Sequence, residues 1–337
     1  MLPCKAAPSS VAQSLKEKDM RRFRILNAEP LGYCDEARTV LNQVGDLVEA
    51  SLNRFELLSQ LPNYDVLIIR LAHQINREII DAGHGLKAIV TATTGLDHID
   101  IDYAHSKGIA VLSLRGETDF LRTVSATAEH TWALLLALSR RIPHAYAAVQ
   151  RGEWCRDAFR GHELDGKRLG LVGLGRVGCK VARYGLAFGM AVAAYDPYAT
   201  GWVDGVAHCQ TLAELLSQSD VLSMHVPLND ETAGMLGADE LALLPQGAML
   251  INTSRGEVVD EKALVQAIEV GHLVGAALDV VTHEREPEQR RCNPLLAYVC
   301  TRDNLIITPH IAGATHESMA KTEVFMAHKL LSFLESL

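Results

Sequence analysis

Three apolar runs in this 337-residue chain end in residues that handle protons and anions. "INTSRGEVVDE" presents Arg255, "AALDVVTHEREP" presents Glu284 and Glu286, and "ITPHIAGAT" presents His310. A histidine titrates near neutrality and can both take and give a proton. Taken singly, His310 reads as a metal ligand, a catalytic acid/base or a packing residue. Its company decides: an arginine and a carboxylate at the ends of similar runs, and a glycine pattern upstream. In "LGLVGLGRVG" Gly173, Gly175 and Gly178 keep the G-x-G-x-x-G spacing after an apolar run and at the head of a helical pattern. There the first glycine allows a tight turn and the second lets the backbone approach a pyrophosphate. The third lets the helix pack closely, with its N-terminus facing the negative charge. Asp196, closing "AAYDPY", follows Gly173 by 23 positions, near the distance at which a carboxylate meets the adenosine ribose hydroxyls. The same carboxylate repels a 2′-phosphate, which favours NAD over NADP. The structural alternative is a buried turn with a capping aspartate.

These residues need a scaffold that brings strand ends together. Short apolar runs alternate with amphipathic segments, the βαβα pattern of parallel sheets covered by helices, so the fold class is α/β. A first series holds "FRIL" (23–26), "DLVE" (46–49), "VLII" (66–69), "AIVT" (88–91) and "IAVL" (109–112). A second holds six runs, "RLGLVG", "MAVAAY", "VLSMHV", "AMLIN", "VGAALDV" and "NLIIT", the count of a complete dinucleotide-binding sheet. "SATAEHTWALLLALSRRIPHA" is a long helical pattern between them. The length suits two domains. A net charge of −9 with scattered Lys and Arg argues against nucleic acid as a partner. Seven cysteines, none in a CxxC pair, read as reduced thiols of a cytoplasmic protein. "TWALLLALS" is too short to span a bilayer, which needs roughly 18–20 apolar residues, so no membrane partner is expected. Residues 1–22 have no signal-peptide core and read as a loose extension.

The segments "TTGLDHIDID", "ATAEHTWALLLAL" and "HVPLNDET", with the three named first, resemble the D-isomer-specific 2-hydroxyacid dehydrogenases, the family of D-3-phosphoglycerate dehydrogenase and glyoxylate/hydroxypyruvate reductase. The resemblance runs from about Phe23 to the C-terminus. It implies two doubly wound parallel-sheet lobes. One is a flavodoxin-like substrate lobe over 23–122 plus 311–337, the other a Rossmann NAD-binding lobe over 123–310. It implies hydride transfer between NAD and C2 of a small 2-hydroxyacid or 2-ketoacid, with His310 moving the hydroxyl proton. Glu284 would hold the other imidazole nitrogen. Arg255, with the Gly95 and Leu96 amides and with Thr94 and Arg70 nearby, would bind substrate. Arg176, Val177, His225, Pro227, Thr232, Thr253 and Asp279 would join the glycines and Asp196 around the cofactor. A homodimer through the 125–142 helix also follows from the resemblance, and no metal is called for. The alternative on the same scaffold is an NAD(H)-sensing regulatory protein.

The chain departs from the family in three places, and one further motif is set aside. The family usually sets its glutamate five positions after the Asp of the "LDV" strand and directly before a proline. Here Glu284 keeps the distance while Glu286 precedes Pro287, and the distance favours Glu284. The 114–126 stretch is longer and adds Arg115 and Arg122, charged loop residues that read first as solvated. Leu71 stands where many relatives carry a small polar residue, which argues against a phosphoglycerate-type pocket. "HERE" opens like a zinc HExxH motif, but Pro287 replaces the second histidine. Leu71, Ala72, the 114–122 loop and Trp132 are candidates for the pocket wall or for a neighbouring subunit's contribution.

Overall fold

A computed structural model describes residues 22–337. The extension expected over 1–22 lies, apart from Arg22, outside the described residues. The first sheet is built from β1 (Phe23–Asn27), β2 (Gly45–Glu49), β3 (Val66–Ile69), β4 (Ala88–Thr91) and β5 (Ala110–Leu112), all parallel, in the order β2-β1-β3-β4-β5. That is the flavodoxin-like order, and every expected run forms its strand. β3 and β4 are buried along their whole length, as parallel strands covered on both faces must be.

The second sheet has seven parallel strands where the apolar runs announced six. They are β6 (Arg168–Val172), β7 (Ala191–Tyr195), β8 (Val206–His208), β9 (Val221–Met224), β10 (Ala248–Asn252), β11 (Leu273–Leu278) and β12 (Leu305–Ile307), in the order β12-β11-β10-β9-β6-β7-β8. The extra strand, β8, is a three-residue edge with only Val206 buried, so it leaves no apolar run to recognise. The strand order reverses between β6 and β9, and the crevice at their carboxyl ends is where such sheets bind ligands.

Two helices matter for the site. The helix Ala126–Ser139 is apolar nearly all round and is accordingly buried, packed on β10, β11 and β12 and on the helix Arg176–Ala187. Trp132 lies inside this layer, 5% exposed and stacked on Phe188 with ring centroids 4.5 Å apart. It belongs to the core, because the helix turns that face toward the second sheet, and it does not line a pocket as its sequence position suggested. The last helix, His316–Glu335, returns to the first sheet. Its Met326, Ala327, Leu330 and Leu334 are buried with Ala37, Val40 and Leu41 of the helix Asp35–Val44. Burying a leucine such as Leu330 contributes roughly 1.5–3 kcal/mol, so the C-terminal segment is integral to the first layer.

Candidate active site

The loop after β6 has the shape a dinucleotide pyrophosphate needs. Gly173 takes φ +94°, and a Cβ there would lie 2.6 Å from the carbonyl oxygen of His225, so only glycine fits. A Cβ on Gly178 would come within 2.2 Å of Gly173 O, which is why the helix packs so close to the strand. Gly175, at the helix N-cap, faces open space where a ligand can approach. Arg176 opens the helix and has no ion-pair partner among the described residues, and burial lowers its pKa. A half-buried guanidinium without a counter-charge among the described residues, at a helix N-terminus, fits an anionic group.

Asp196 at the end of β7 accepts Leu174 N–H on Oδ2 (2.7 Å) and Tyr198 N–H on Oδ1 (2.8 Å). It therefore fixes the glycine loop and keeps lone pairs with which to accept further hydrogen bonds. Val177 is half-buried in the first helical turn. His225 faces the same crevice with Nε2 2.9 Å from Ser223 Oγ, and burial pushes its pKa down to about 4. Pro227 O accepts the Thr232 hydroxyl at 2.6 Å, closing that loop, and Thr253 Oγ1 lies 2.9 Å from Thr131 Oγ1 on the long buried helix.

His310 and Glu284 meet. Nδ1 of the imidazole is 2.6 Å from Glu284 Oε1. An ionised carboxylate only accepts, so Nδ1 carries the proton and Nε2 is left with a free lone pair. Glu286 instead turns to His283 at 3.4 Å and to Gln289. His310 itself holds a left-handed backbone, φ 55°, which for a non-glycine residue costs on the order of 1 kcal/mol. Asp279 enforces it: its main-chain oxygen accepts His310 N–H at 2.9 Å. Its carboxylate accepts Ile311 N–H (2.9 Å), Ala312 N–H (2.7 Å) and the Thr308 hydroxyl. Burial opposes the Asp279 charge, but these bonds and His130, whose Nε2 is 3.3 Å away, outweigh it and lower its pKa. Asp279 is thus first of all the anchor of the histidine loop.

Arg255 reaches across to the first lobe. The end of β10 makes a local turn in which Asn252 Oδ1 accepts Ser254 N–H and Asn252 Nδ2 donates to Arg255 O (2.8 Å), fixing the arginine's backbone. Its Nε donates to Asp97 Oδ1 at 3.1 Å, and Nη2 stands in ion-pair contact with the same oxygen at 3.0 Å. The guanidinium lies so close to Gly95 that a Cβ there would be 1.7 Å from Nη2. The Gly95 and Leu96 amides beside it make no hydrogen bond among the described residues. Arg285 holds the other oxygen of Asp97 at 3.1 Å. Burial would raise the Asp97 pKa, but the two guanidinium charges pull it down to about 2. Arg255, two free amides, His310 and Glu284 therefore converge where an anion and a proton acceptor can be held together.

Other candidates lie elsewhere. Arg70 gives its guanidinium to the buried Glu323 at 2.5 Å and to Leu31 O at 2.8 Å, so the last helix takes it and the substrate cluster does not. Thr94 adjoins Gly95 in the cluster's loop, but it is exposed and its side chain makes no hydrogen bond among the described residues. Arg115 and Arg122 are exposed, the latter paired with Asp119. No metal-binding group of His, Cys, Asp or Glu occurs, and no helix is long and apolar enough to cross a membrane, among the described residues. The sequence reading passed over Asp97, His98, His130 and Arg285. All four stand inside motifs quoted above.

Comparison with known proteins identifies the family. The model of the D-isomer specific 2-hydroxyacid dehydrogenase NAD-binding domain matches residues 132–312. Hydroxypyruvate reductase of Thermotoga maritima is 35% identical over 94% of this chain and 99% of its own length. D-3-phosphoglycerate dehydrogenase of Methanocaldococcus jannaschii is 37% identical over 92% of this chain, which spans 57% of that protein. The crystal structure of D-lactate dehydrogenase from Aquifex aeolicus complexed with NAD and lactic acid superposes with a TM-score of 0.80, at 30% identity, over 93% of this chain and 97% of that one. The chain belongs to the D-isomer specific 2-hydroxyacid dehydrogenase family.

Proposed function

We propose that the protein is an NAD-dependent oxidoreductase acting at C2 of a small D-2-hydroxyacid or its 2-ketoacid, with His310 as the acid/base. The observation that carries this reading is the 2.6 Å contact of His310 with Glu284, in a cluster that also holds Arg255 packed against Gly95. The substrate carboxylate is bound by the Gly95 and Leu96 amides and by Arg255, whose permanent charge also polarises the C2 oxygen. A bound nicotinamide supplies or accepts the hydride. In the reductive direction His310 gives its Nε2 proton to the C2 oxygen, and Glu284 stabilises the charged ring from which that proton leaves. In the oxidative direction His310 takes the same proton back. The glycine loop, Arg176 and Val177 hold the pyrophosphate, Asp196 the ribose, and His225, Pro227, Thr232, Thr253 and Asp279 flank the cofactor.

The protein acts as a homodimer in the cytoplasm on this reading. In support, Ile142, Tyr146, Val149 and Trp154 are exposed apolar side chains just past the long helix, and the six described cysteines are free. Following NADH absorbance with a panel of 2-ketoacids, and NADPH in parallel, tests the function. Oxidation of NADH by one ketoacid class is expected. Silence across the panel from a protein that still binds NADH favours a sensor and refutes the enzyme.

A further inference from the structure

The long buried helix Ala126–Ser139 sends His130 toward the loop that carries His310. The side chain is 19% exposed, with Nε2 3.0 Å from Thr308 Oγ1 and 3.3 Å from Asp279 Oδ1. Thr308, two positions before His310, donates its single hydroxyl proton to Asp279 Oδ1. Its oxygen can then only accept from His130, so Nε2 carries the imidazole proton. The donors run in one direction, from His130 Nε2–H to Thr308 Oγ1 and from the Thr308 hydroxyl to Asp279.

The carboxylate at the end of this chain shapes the histidine loop. The Asp279 side chain has no exposed surface, and it also accepts Ile311 N–H on Oδ1 (2.9 Å) and Ala312 N–H on Oδ2 (2.7 Å). His310 lies between those amides and Thr308, takes φ 55° and donates its own N–H to Asp279 O at 2.9 Å. A left-handed backbone at a non-glycine residue persists only while its surroundings impose it. Glu284 holds the imidazole at Nδ1, but Asp279 sets the backbone from which that ring projects.

Thr308 has a rival acceptor, Leu278 O, 3.5 Å from Oγ1. A donor on the threonine oxygen decides between the two, because it directs the hydroxyl proton onto Asp279. Without His130 the proton is free to turn toward Leu278 O, and Oδ1 keeps only Ile311 N–H.

We propose that His130 is a positioning residue for proton transfer: its Nε2–H aims the Thr308 hydroxyl at Asp279, and that chain holds the backbone of His310 where the ring meets the C2 oxygen. The inference rests on the reading of His310 as acid/base.

The test compares kcat and KM for the preferred ketoacid, NADH affinity by fluorescence titration and melting temperature in the wild type, His130→Leu, His130→Gln, Thr308→Val and the double variant His130→Leu/Thr308→Val. A displacement of about 1 Å in a reacting group costs on the order of 100-fold, so His130→Leu should lower kcat by about 10- to 100-fold. KM and NADH affinity should stay within about threefold, because Arg255, the glycine loop and Asp196 are untouched. Glutamine places an amide N–H where Nε2–H was, so His130→Gln should recover kcat to within about threefold of wild type. Thr308→Val is nearly isosteric and cuts the same chain from its other end. It should show a similar loss, and adding His130→Leu to it should cost less than about threefold more, since both changes remove one interaction. A folded His130→Leu protein with wild-type kcat overturns the proposal. So does a glutamine variant that falls as far as leucine, a KM or NADH affinity that weakens in step with kcat, or losses that multiply in the double variant. If His310→Gln itself turns over like the wild type, the parent reading fails as well. Loss in His310→Gln with none in His130→Leu sinks this inference alone.

Discussion

Alanine at position 95 is a sharp probe of the site, because Gly95 has no side chain for one reason visible in the structure. An added Cβ would lie 1.7 Å from Arg255 Nη2, whereas carbon contacts settle near roughly 3.5–4.0 Å. The guanidinium must therefore retreat by about 2 Å, since the alanine methyl is fixed to the backbone and the arginine tip is the movable partner. That retreat breaks the 3.0 and 3.1 Å contacts with Asp97 and carries the charge away from the Gly95 and Leu96 amides. A misplacement of about 1 Å in a positioning group costs on the order of 100-fold, so kcat/KM for the preferred ketoacid should fall by at least about that factor, or about 3 kcal/mol. The backbone at Gly95 has no left-handed φ, and the displaced group is flexible. Thermal stability should accordingly change by no more than about 2 °C. NADH affinity should be unaffected, because the dinucleotide loop lies after β6. Steady-state NADH oxidation, a melting curve and NADH fluorescence titration of Gly95→Ala together decide the matter. A folded variant with wild-type kcat/KM would falsify the placement of Arg255 at the substrate carboxylate.

Three further predictions concern the cofactor cradle and the buried histidines. Gly178→Ala brings a methyl within 2.2 Å of a backbone oxygen that cannot yield, so this variant should lose about 1–3 kcal/mol of stability and bind NADH more weakly; an unchanged melting curve contradicts the close helix packing. Asp196 should make NADH preferred over NADPH by on the order of 100-fold, and Asp196→Ser should narrow that ratio; a wild type indifferent to the 2′-phosphate removes Asp196 from the ribose. His98 is fully buried with both ring nitrogens unpartnered among the described residues, and burial, then the Arg285 charge, hold its pKa down to about 4. The unfolded chain protonates near 6.5 and the fold only near 4, so this stability is fully present above pH 6.5 and is lost as pH falls toward 4. The loss is on the order of 3 kcal/mol for His98 and similar for His225, whose folded pKa is also about 4. Melting temperatures of His98→Leu across that window should fall less steeply than those of the wild type, and coincident slopes would remove the burial account.

The parts of the fold that sequence made legible are those that local physics dictates. β3, β4, β9 and β10 are buried throughout and appear as unbroken apolar runs, while β8 is half-exposed and short and left none. The glycine loop was legible because turn geometry and close approach admit no other residue at 173 and 178. Partnerships between distant side chains were not. Asp97 meets Arg255 and Arg285 across 158 and 188 positions, and no periodicity records that. Arg70 stood at a strand end, as a substrate arginine would, but Glu323 on the last helix claims it from 253 positions away. The choice between Glu284 and Glu286 depended on one loop. His283 takes φ 54°, Glu284 meets His310, and Glu286 folds back on His283. Trp132 offered a polar tip, but its Nε1 donates to Val181 O inside the helical layer.

Proton transfer at His310 is the claim on which the rest depends. The direct measurement is ketoacid-dependent NADH oxidation by His310→Gln beside the wild type, with NADH affinity determined on the same samples. General acid/base catalysis contributes about 10²- to 10⁴-fold, so turnover should fall by that factor while NADH binding stays within about threefold. A His310→Gln protein that reduces the same ketoacid at close to the wild-type rate contradicts the account.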